Sequence, residues 1–113
     1  MKSIHRYVHG KGSRRDQHVG ILLAVRTNDN VVITGAKVNL TAGDHFSPEK
    51  AQQIAWNRQS TVNEGRRNEV AASFKEDLVL FEDRCRRYFK DVTSFNVPTL
   101  IRTSIPKESY IKS

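Results

Sequence analysis

Apolar residues in the first half of this chain alternate in two short segments that come one after the other. The segments are 18–27 (HVGILLAVRT) and 31–40 (VVITGAKVNL), both rich in β-branched and aliphatic residues, and residues 28–30 (NDN) join them. Asparagine and aspartate tolerate the positive φ angles of tight reversals, so this pattern predicts a β-hairpin.

Both faces of the first predicted strand are apolar. Four aliphatic residues alternate onto one face, but the other face carries Leu22 and Ala24. A second apolar face predicts that at least part of it is also covered. Gly35 in the middle of the second strand indicates a bulge or the close approach of another group.

The next segment, 43–59 (GDHFSPEKAQQIAWNRQ), predicts a first helix. Ser47 is suited to be the N-cap, Pro48 suits the first helical position, and Glu49 places a carboxylate in the first turn. The spacing of a 3.6-residue repeat puts the following residues on one face: Ala51, Ile54, Ala55, Arg58 and Val62.

Arg58 stands in the middle of this otherwise apolar face. A buried guanidinium without a partner is very costly, so the pattern predicts a partner for it. That partner is either an internal carboxylate such as Asp44 or an anion from outside. The sequence therefore indicates an anion-binding site without identifying the anion.

A long apolar stripe follows, stepping by three or four residues for about six turns. Its members are Val70, Phe74, Leu78, Phe81, Cys85, Tyr88 and Val92. This spacing predicts a second, amphipathic helix about 35 Å long, more than a two-stranded sheet can cover. The surplus apolar surface predicts a homo-oligomer, a dimer or larger.

These elements predict an α+β fold: an antiparallel hairpin sheet followed by two α-helices, in a ββαα domain over residues 18–92. A strand from either terminus could extend the sheet. Residues 1–17 carry five basic residues and one acidic residue, which is typical of a solvated arm. The alternative is that Ile4, Tyr7 and Val8 add a third strand. Residues 93–113 are predicted to be an extended segment that packs on its own sheet or on a partner subunit.

Composition excludes several classes of function. The net charge of +7 indicates an anionic partner, and no apolar run is long enough for a membrane span or for the core of a signal peptide. These features favour a cytoplasmic protein.

The sequence contains no motif for catalysis or metal binding. No phosphate-binding glycine loop is present, Cys85 has no adjacent base, and His5 and His9 lack further metal ligands. We therefore expect no catalytic residues, no metal and no cofactor.

The C-terminal segment adds three candidate ligand-binding residues to Arg58. An aromatic ring, an amide and a guanidinium can together bind a nucleobase and its phosphate, and Phe95, Asn96 and Arg102 supply these groups. Ordinary packing of Phe95 is the alternative.

The order of hairpin, loop with GDHFSPEKAQQIAWNR, and long amphipathic helix resembles that of small bacteriophage early proteins. More specifically, residues 18–92 resemble the first family of Thoeris anti-defence proteins, through the segment 44–46 together with Ile54, Ala55 and Arg58.

The resemblance implies a phage sponge that sequesters a cyclic ADP-ribose signal in the host cytoplasm and does no chemistry on it. It further implies a dimer or higher assembly with ligand pockets between protomers, and arginines that hold the phosphates. Arg58 and Arg102 would be such arginines, with Phe95 and Asn96 beside them. The alternative hypothesis is a small basic nucleic-acid-binding or transcription-modifying phage protein that places its basic tails on phosphates.

Overall fold

The computed structural model describes residues 2–10, 18–39, 47–101 and 111–112, and it has the predicted α+β fold. Neither of its helices is long and apolar enough to cross a membrane. Along the chain the elements are β1 (Lys2–His9), β2 (His18–Thr27), β3 (Asn30–Asn39), α1 (Pro48–Asn63), β4 (Glu69–Ala71), α2 (Lys75–Tyr88), β5 (Ser94–Asn96), β6 (Thr99–Ile101) and β7 (Ile111–Lys112).

The main sheet has the order β1–β2–β3–β5, and β7 also pairs with β3. Strands β1, β2 and β3 are antiparallel, whereas β5 and β7 run parallel to the two ends of β3. The predicted hairpin is confirmed: Thr27 pairs with Asn30, and Asn28 has a φ of 53° in the intervening turn. Strands β4 and β6 form a separate parallel pair.

Residues 2–9 belong to the sheet, so the prediction of a solvated arm over residues 1–17 is wrong for this part. Residues 11–17 lie outside the described residues. Strand β1 is held by apolar contacts, because Val8 is buried and Ile4 packs against the core. An ion pair also joins β1 to α2, since Arg6 Nε donates a hydrogen bond to Asp77 Oδ1 at 3.0 Å.

The sheet has a helix on each face, as the two apolar faces of β2 predict. One core lies between the sheet and α1, and the other lies between the sheet and α2. The α1 core contains Ile21, Leu23, Val25, Ala36, Ala51 and Ala55. The α2 core contains Val8, Leu22, Ala24, Val31, Ile33, Val70, Phe74, Leu78, Phe81, Cys85, Phe89 and Val92.

The second helix is shorter than the sequence predicts. Val70 lies in β4, a 3₁₀ turn spans Ala72–Phe74, and α2 ends at Tyr88. Phe89, four residues after Cys85 and just past the helix, is buried, whereas Tyr88 is exposed. Apart from Tyr88, the stripe is nevertheless covered within one chain, and the exposed apolar surface of α2 lies on its outer side, at Val79, Leu80 and Tyr88.

Gly35 is explained by the close approach of β4. A Cβ atom at this position would lie 2.6 Å from Val70 Cγ1 and 3.0 Å from Leu22 Cδ2. The described parts of the C-terminal segment also pair within the chain: Phe95 is opposite Val31, and Leu100 of β6 is opposite Val70. Residues 102–110 lie outside the described residues.

Candidate anion-binding site

Helix α1 begins as the sequence predicts. The Ser47 hydroxyl accepts a hydrogen bond from the Lys50 backbone N–H at 3.3 Å, and Pro48 is the first helical residue. The helix is fixed to the sheet by small residues, because Ala51 and Ala55 are buried against it. Thr34 of β3 adds a hydrogen bond from Oγ1 to the Ala55 carbonyl, at 3.4 Å. One side of the candidate site is thus anchored on two elements.

Arg58 lies at the border of the buried face of α1, not in its middle. Ala51, Ala55 and Gln59 form the fully buried ridge, at intervals of four residues, while Arg58 is half-buried. The sequence-based placement of Arg58 at the centre of the stripe is therefore wrong by about 60° around the helix axis. The guanidinium emerges beside the helix instead of under it.

The Arg58 guanidinium has no carboxylate partner among the described residues. Burial lowers its pKa from the usual 12.5, and no acid among the described residues offsets this effect. Asp44, the internal partner considered from the sequence, lies outside the described residues. Within the described ranges, Arg58 is a partly desolvated charge available to an anion.

The chain reversal at the end of α1 brings two more arginines, Arg66 and Arg67, close to Arg58. Gly65 has a φ of 96°, which glycine tolerates best, and its N–H donates to the Val62 carbonyl at 3.0 Å. The Arg66 N–H donates to the Thr61 carbonyl, also at 3.0 Å. These two bonds form a Schellman motif, which ends the helix and reverses the chain. Arg66 and Arg67 thereby join Arg58 at one end of α1.

A cleft of about 480 Å³ lies between this end of α1 and the edge of β3. Its volume is in the range of small-molecule sites. The residues that line it are Thr34, Gly35, Arg58, Thr61, Val62, Arg66, Arg67, Asn68 and Glu69.

Asn68 lines the cleft where the edge of β3 is no longer paired with β5. Beyond the three residues paired with β5, the outer edge of β3 is met by the Asn68 side chain, whose Nδ2 donates to the Ile33 carbonyl at 2.7 Å. Backbone groups of a β-strand alternate between its two edges. The N–H of Gly35 therefore points to the same edge as the Ile33 carbonyl and faces the cleft.

Positive charge dominates the cleft. Three arginines line it, against one carboxylate from Glu69. The single ion pair that joins them, Arg67 Nη1 to Glu69 Oε1, is 3.9 Å long. Guanidinium groups with a backbone N–H and threonine hydroxyls are the groups that bind phosphate or carboxylate oxygens.

The predicted site residues are only partly brought together. Asn96 is next to the cleft, because its Oδ1 accepts a hydrogen bond from Asn68 Nδ2 at 3.3 Å. Phe95 is on the opposite face of the sheet, where it packs on the α2 core and lies 4.6 Å from the Arg86 guanidinium. Arg102 lies outside the described residues. The structure thus places Arg58 and Asn96 on the same side and separates Phe95 from them.

Sequence reasoning missed Arg66, Arg67, Asn68 and Glu69 as candidate site residues. The available signal was Gly65: a glycine just after a predicted helix indicates a C-cap, and a C-cap reverses the chain. The residues that follow it could therefore have been expected near the last turn of the helix, where Arg58 lies.

The three described histidines, His5, His9 and His18, lie close together on β1 and β2. Within the described part of the chain, no group of three or more His, Cys, Asp or Glu side chains is arranged to hold a metal ion. His5 and His9 extend from one strand, and Tyr7 lies between them. Tyr7 is stacked on His18 with ring centroids 5.1 Å apart, and His9 contacts His18 edge-on at 4.6 Å.

Comparison of the chain with protein-family models, with curated proteins and with solved structures finds no match. The candidate function therefore depends on the geometry of the cleft.

Proposed function

We propose that this protein binds a small phosphate-bearing molecule in the cleft lined by Arg58 and holds it without doing chemistry on it. The observation that carries the proposal is the half-buried Arg58 guanidinium with no carboxylate partner among the described residues. A phosphate would supply the missing negative charge, and Arg66 and Arg67 would add to its binding.

The chemistry of the lining supports binding over catalysis. Among the described residues that line the cleft there is no histidine, cysteine or lysine, and the one carboxylate, Glu69, contacts Arg67 and has no hydroxyl hydrogen-bonded to it that it could activate as a nucleophile. Hydroxyl, amide and guanidinium groups can hold a ligand in a fixed orientation. A protein with these groups acts by sequestering its ligand, and its effect depends on its affinity for the ligand and on its own concentration in the cell.

For the ligand we propose a cyclic nucleotide of the cyclic ADP-ribose type, which is what the resemblance to Thoeris anti-defence proteins implies. The cleft volume of about 480 Å³ suits a molecule of this class. The function would be to remove an immune signal in the host cytoplasm during phage infection. Assembly of two or more copies, with the cleft at their interface, belongs to the same proposal.

Substitution of Arg58 by alanine tests the role of the cleft. Each charge-assisted hydrogen bond contributes roughly 1.5–3 kcal/mol, so we expect Arg58→Ala to weaken the binding of cyclic ADP-ribose by at least about tenfold. Its melting temperature should not fall, because a desolvated charge is removed. Isothermal titration calorimetry and thermal melts measure the two effects on the same samples.

Arg87→Ala is the matched control for this experiment. It removes the same charge from an exposed position on α2, where Arg87 pairs with Asp83, and it should leave binding unchanged. If Arg58→Ala binds the nucleotide normally but has a much lower melting temperature, Arg58 is a structural arginine with an internal partner. That result would refute the proposed site.

The net charge of +7 favours nucleic-acid binding as a second candidate function. Salt dependence distinguishes the two. A protein that neutralises many phosphates loses affinity steeply as salt rises, whereas a ligand with two charges held in a cleft loses much less. Native mass spectrometry of the protein, purified from cells that make cyclic ADP-ribose, would show both the retained ligand and the number of copies in the assembly.

A further inference from the structure

Glu69 is the one carboxylate among the described residues that line the cleft. Its side chain is 31% exposed, and its ion pair with Arg67 is 3.9 Å long, with an Arg67 side chain that is 92% exposed. A hydrogen-bonded Arg–carboxylate pair is about 2.7–2.9 Å long. The carboxylate is therefore not neutralised by a tight contact, although the cleft around it is rich in arginine.

The position of Glu69 is fixed by its backbone. It is the first residue of β4 and pairs with Thr99, whose N–H donates to the Asn68 carbonyl at 2.8 Å. The next residue, Val70, is buried against Gly35. Arg58 belongs to α1, so the two walls of the cleft differ: α1 carries guanidinium and hydroxyl donors, and β4 presents a carboxylate.

An ionised carboxylate only accepts hydrogen bonds. It repels an inorganic phosphate, which is itself an anion with acceptor oxygens. It binds a ligand that carries hydroxyl groups close to its phosphates, because each hydroxyl can donate to it. A carboxylate facing a cluster of arginines thus separates sugar-bearing phosphates from bare ones.

We propose that Glu69 is a specificity residue that accepts hydrogen bonds from the sugar hydroxyls of the ligand. Given the proposed phosphate-binding function of the cleft, on which this inference rests, the phosphates lie against Arg58 and the sugar lies against Glu69. The ligand class is then a nucleotide or another sugar phosphate, in preference to pyrophosphate or a polyphosphate chain.

Titration of three proteins with two probes tests this assignment. The proteins are the wild type, Glu69→Gln and the control Glu64→Gln, and the probes are cyclic ADP-ribose and inorganic pyrophosphate. Glutamine keeps the shape and one acceptor oxygen but loses the charge. We expect Glu69→Gln to bind the nucleotide about fivefold more weakly and pyrophosphate more tightly than the wild type does.

Glu64→Gln controls for the loss of one negative charge as such. Glu64 is an exposed residue that caps α1 outside the cleft, so Glu64→Gln changes the net charge equally and should shift both probes slightly and in the same direction. If Glu69→Gln also shifts both probes in one direction, or if Glu64→Gln reproduces its opposite shifts, Glu69 does not determine specificity.

A change in the ligand gives the same information without a variant. The wild-type protein should bind ADP about tenfold more tightly than 2′,3′-dideoxy-ADP, which keeps the phosphates but lacks both ribose hydroxyls. Equal affinities, or no binding of ADP, would overturn the role of Glu69.

Arg58→Ala distinguishes a failure of this inference from a failure of the proposed function. If it weakens the binding of cyclic ADP-ribose and pyrophosphate alike, the cleft holds phosphates, and the Glu69 results then decide the sugar contact separately. If neither probe responds to Arg58→Ala, the proposed function fails and the inference about Glu69 fails with it.

Discussion

Among the described residues, burial is the main cause of a pKa shift at two side chains, and both are pushed toward their neutral forms. Arg58 stays positively charged at neutral pH although burial lowers its pKa, because the ordinary value is 12.5. Cys85 stays neutral, because burial raises the pKa of its thiol from 9.0 to about 12. Arg58 is thereby left as a charge that can attract an anion, and Cys85 is left as a small apolar residue of the α2 core.

The pKa of Cys85 predicts a loss of stability at high pH. In the unfolded chain the thiol deprotonates above its ordinary pKa of 9.0, whereas in the folded protein it stays protonated up to about 12. Its contribution to the free energy of unfolding is therefore fully present below pH 9 and is lost as the pH rises toward 12, by about 1.4 kcal/mol for each pH unit.

Cys85→Ala has no thiol, so its free energy of unfolding should lack this pH-dependent contribution. In urea melts between pH 8 and pH 11, we expect the wild type to be the more stable protein at pH 8 and to lose this advantage progressively above pH 9. Lysine and tyrosine titrations are common to both proteins and cancel in the difference. A difference in stability that stays constant with pH would show that the thiol ionises equally in both states.

Single residues differ in how far the sequence could predict their roles. The partial burial of Arg58 could be predicted because it needs only the local spacing of apolar residues along α1, whereas its role in a site stays a prediction. The separation of Phe95 from Arg58 could not be predicted, because it depends on which neighbour β5 pairs with. Once Phe95 lies opposite Val31, the alternation of a strand sends Phe95 to the α2 side and Asn96 to the other.

Among the secondary-structure elements, the hairpin and the start of α1 could be predicted because turn and cap residues act locally. The boundaries of α2 could not. Val70 and Val92 face the same core as the helix but lie outside it, so the apolar spacing continues through a strand and a turn. Periodicity reports which side of the chain is buried, and here it does not report where the helix begins.

For β1 the sequence predicted too little structure: the basic composition of residues 1–17 indicated a solvated arm, but residues 2–9 form a strand. Two of its side chains, Ile4 and Val8, face the α2 core, too few for a clear alternation to stand out from the charged residues. Pairing with β2 extends over almost the whole strand, from Lys2 opposite Arg26 to His9 opposite His18. This long-range pairing, and not the composition of residues 1–17, decides the structure of this part.

The buried position of Val8 gives a test of β1 at the level of the element. Val8→Ala removes two methyl groups from a side chain that is 2% exposed, and it should lower the free energy of unfolding by roughly 2 kcal/mol. Ser3→Ala, on an exposed position of the same strand, should change it by less than about 0.5 kcal/mol. Chemical denaturation measures both. If deletion of residues 1–9 leaves the unfolding midpoint unchanged, β1 does not contribute to the fold.

For the whole molecule, the main sheet with a helix on each face covers nearly all of the long apolar stripe within one chain. The described apolar side chains left most exposed are on α2, where Val79, Leu80 and Tyr88 are 59%, 57% and 54% exposed. Self-association remains a prediction, and this outer face of α2 favours it. Because α2 and the cleft at the end of α1 lie on opposite faces of the sheet, an interface through α2 alone would not cover the cleft. Phe81, in contrast, is fully buried, so Phe81→Asp would unfold one chain and could not report on assembly.

Leu80→Asp is the substitution that tests self-association. It places a charge on the exposed face of α2 and leaves the core unchanged, so we expect the protein to dissociate to its 12.9 kDa chain with little change in melting temperature. Gln53→Asp, on the exposed side of α1, adds the same charge elsewhere and should leave assembly unchanged. Sedimentation velocity at micromolar concentration measures the mass of each protein. A wild type that sediments as a single chain would refute the predicted oligomer, and the cleft would then have to bind its ligand with the residues of one chain.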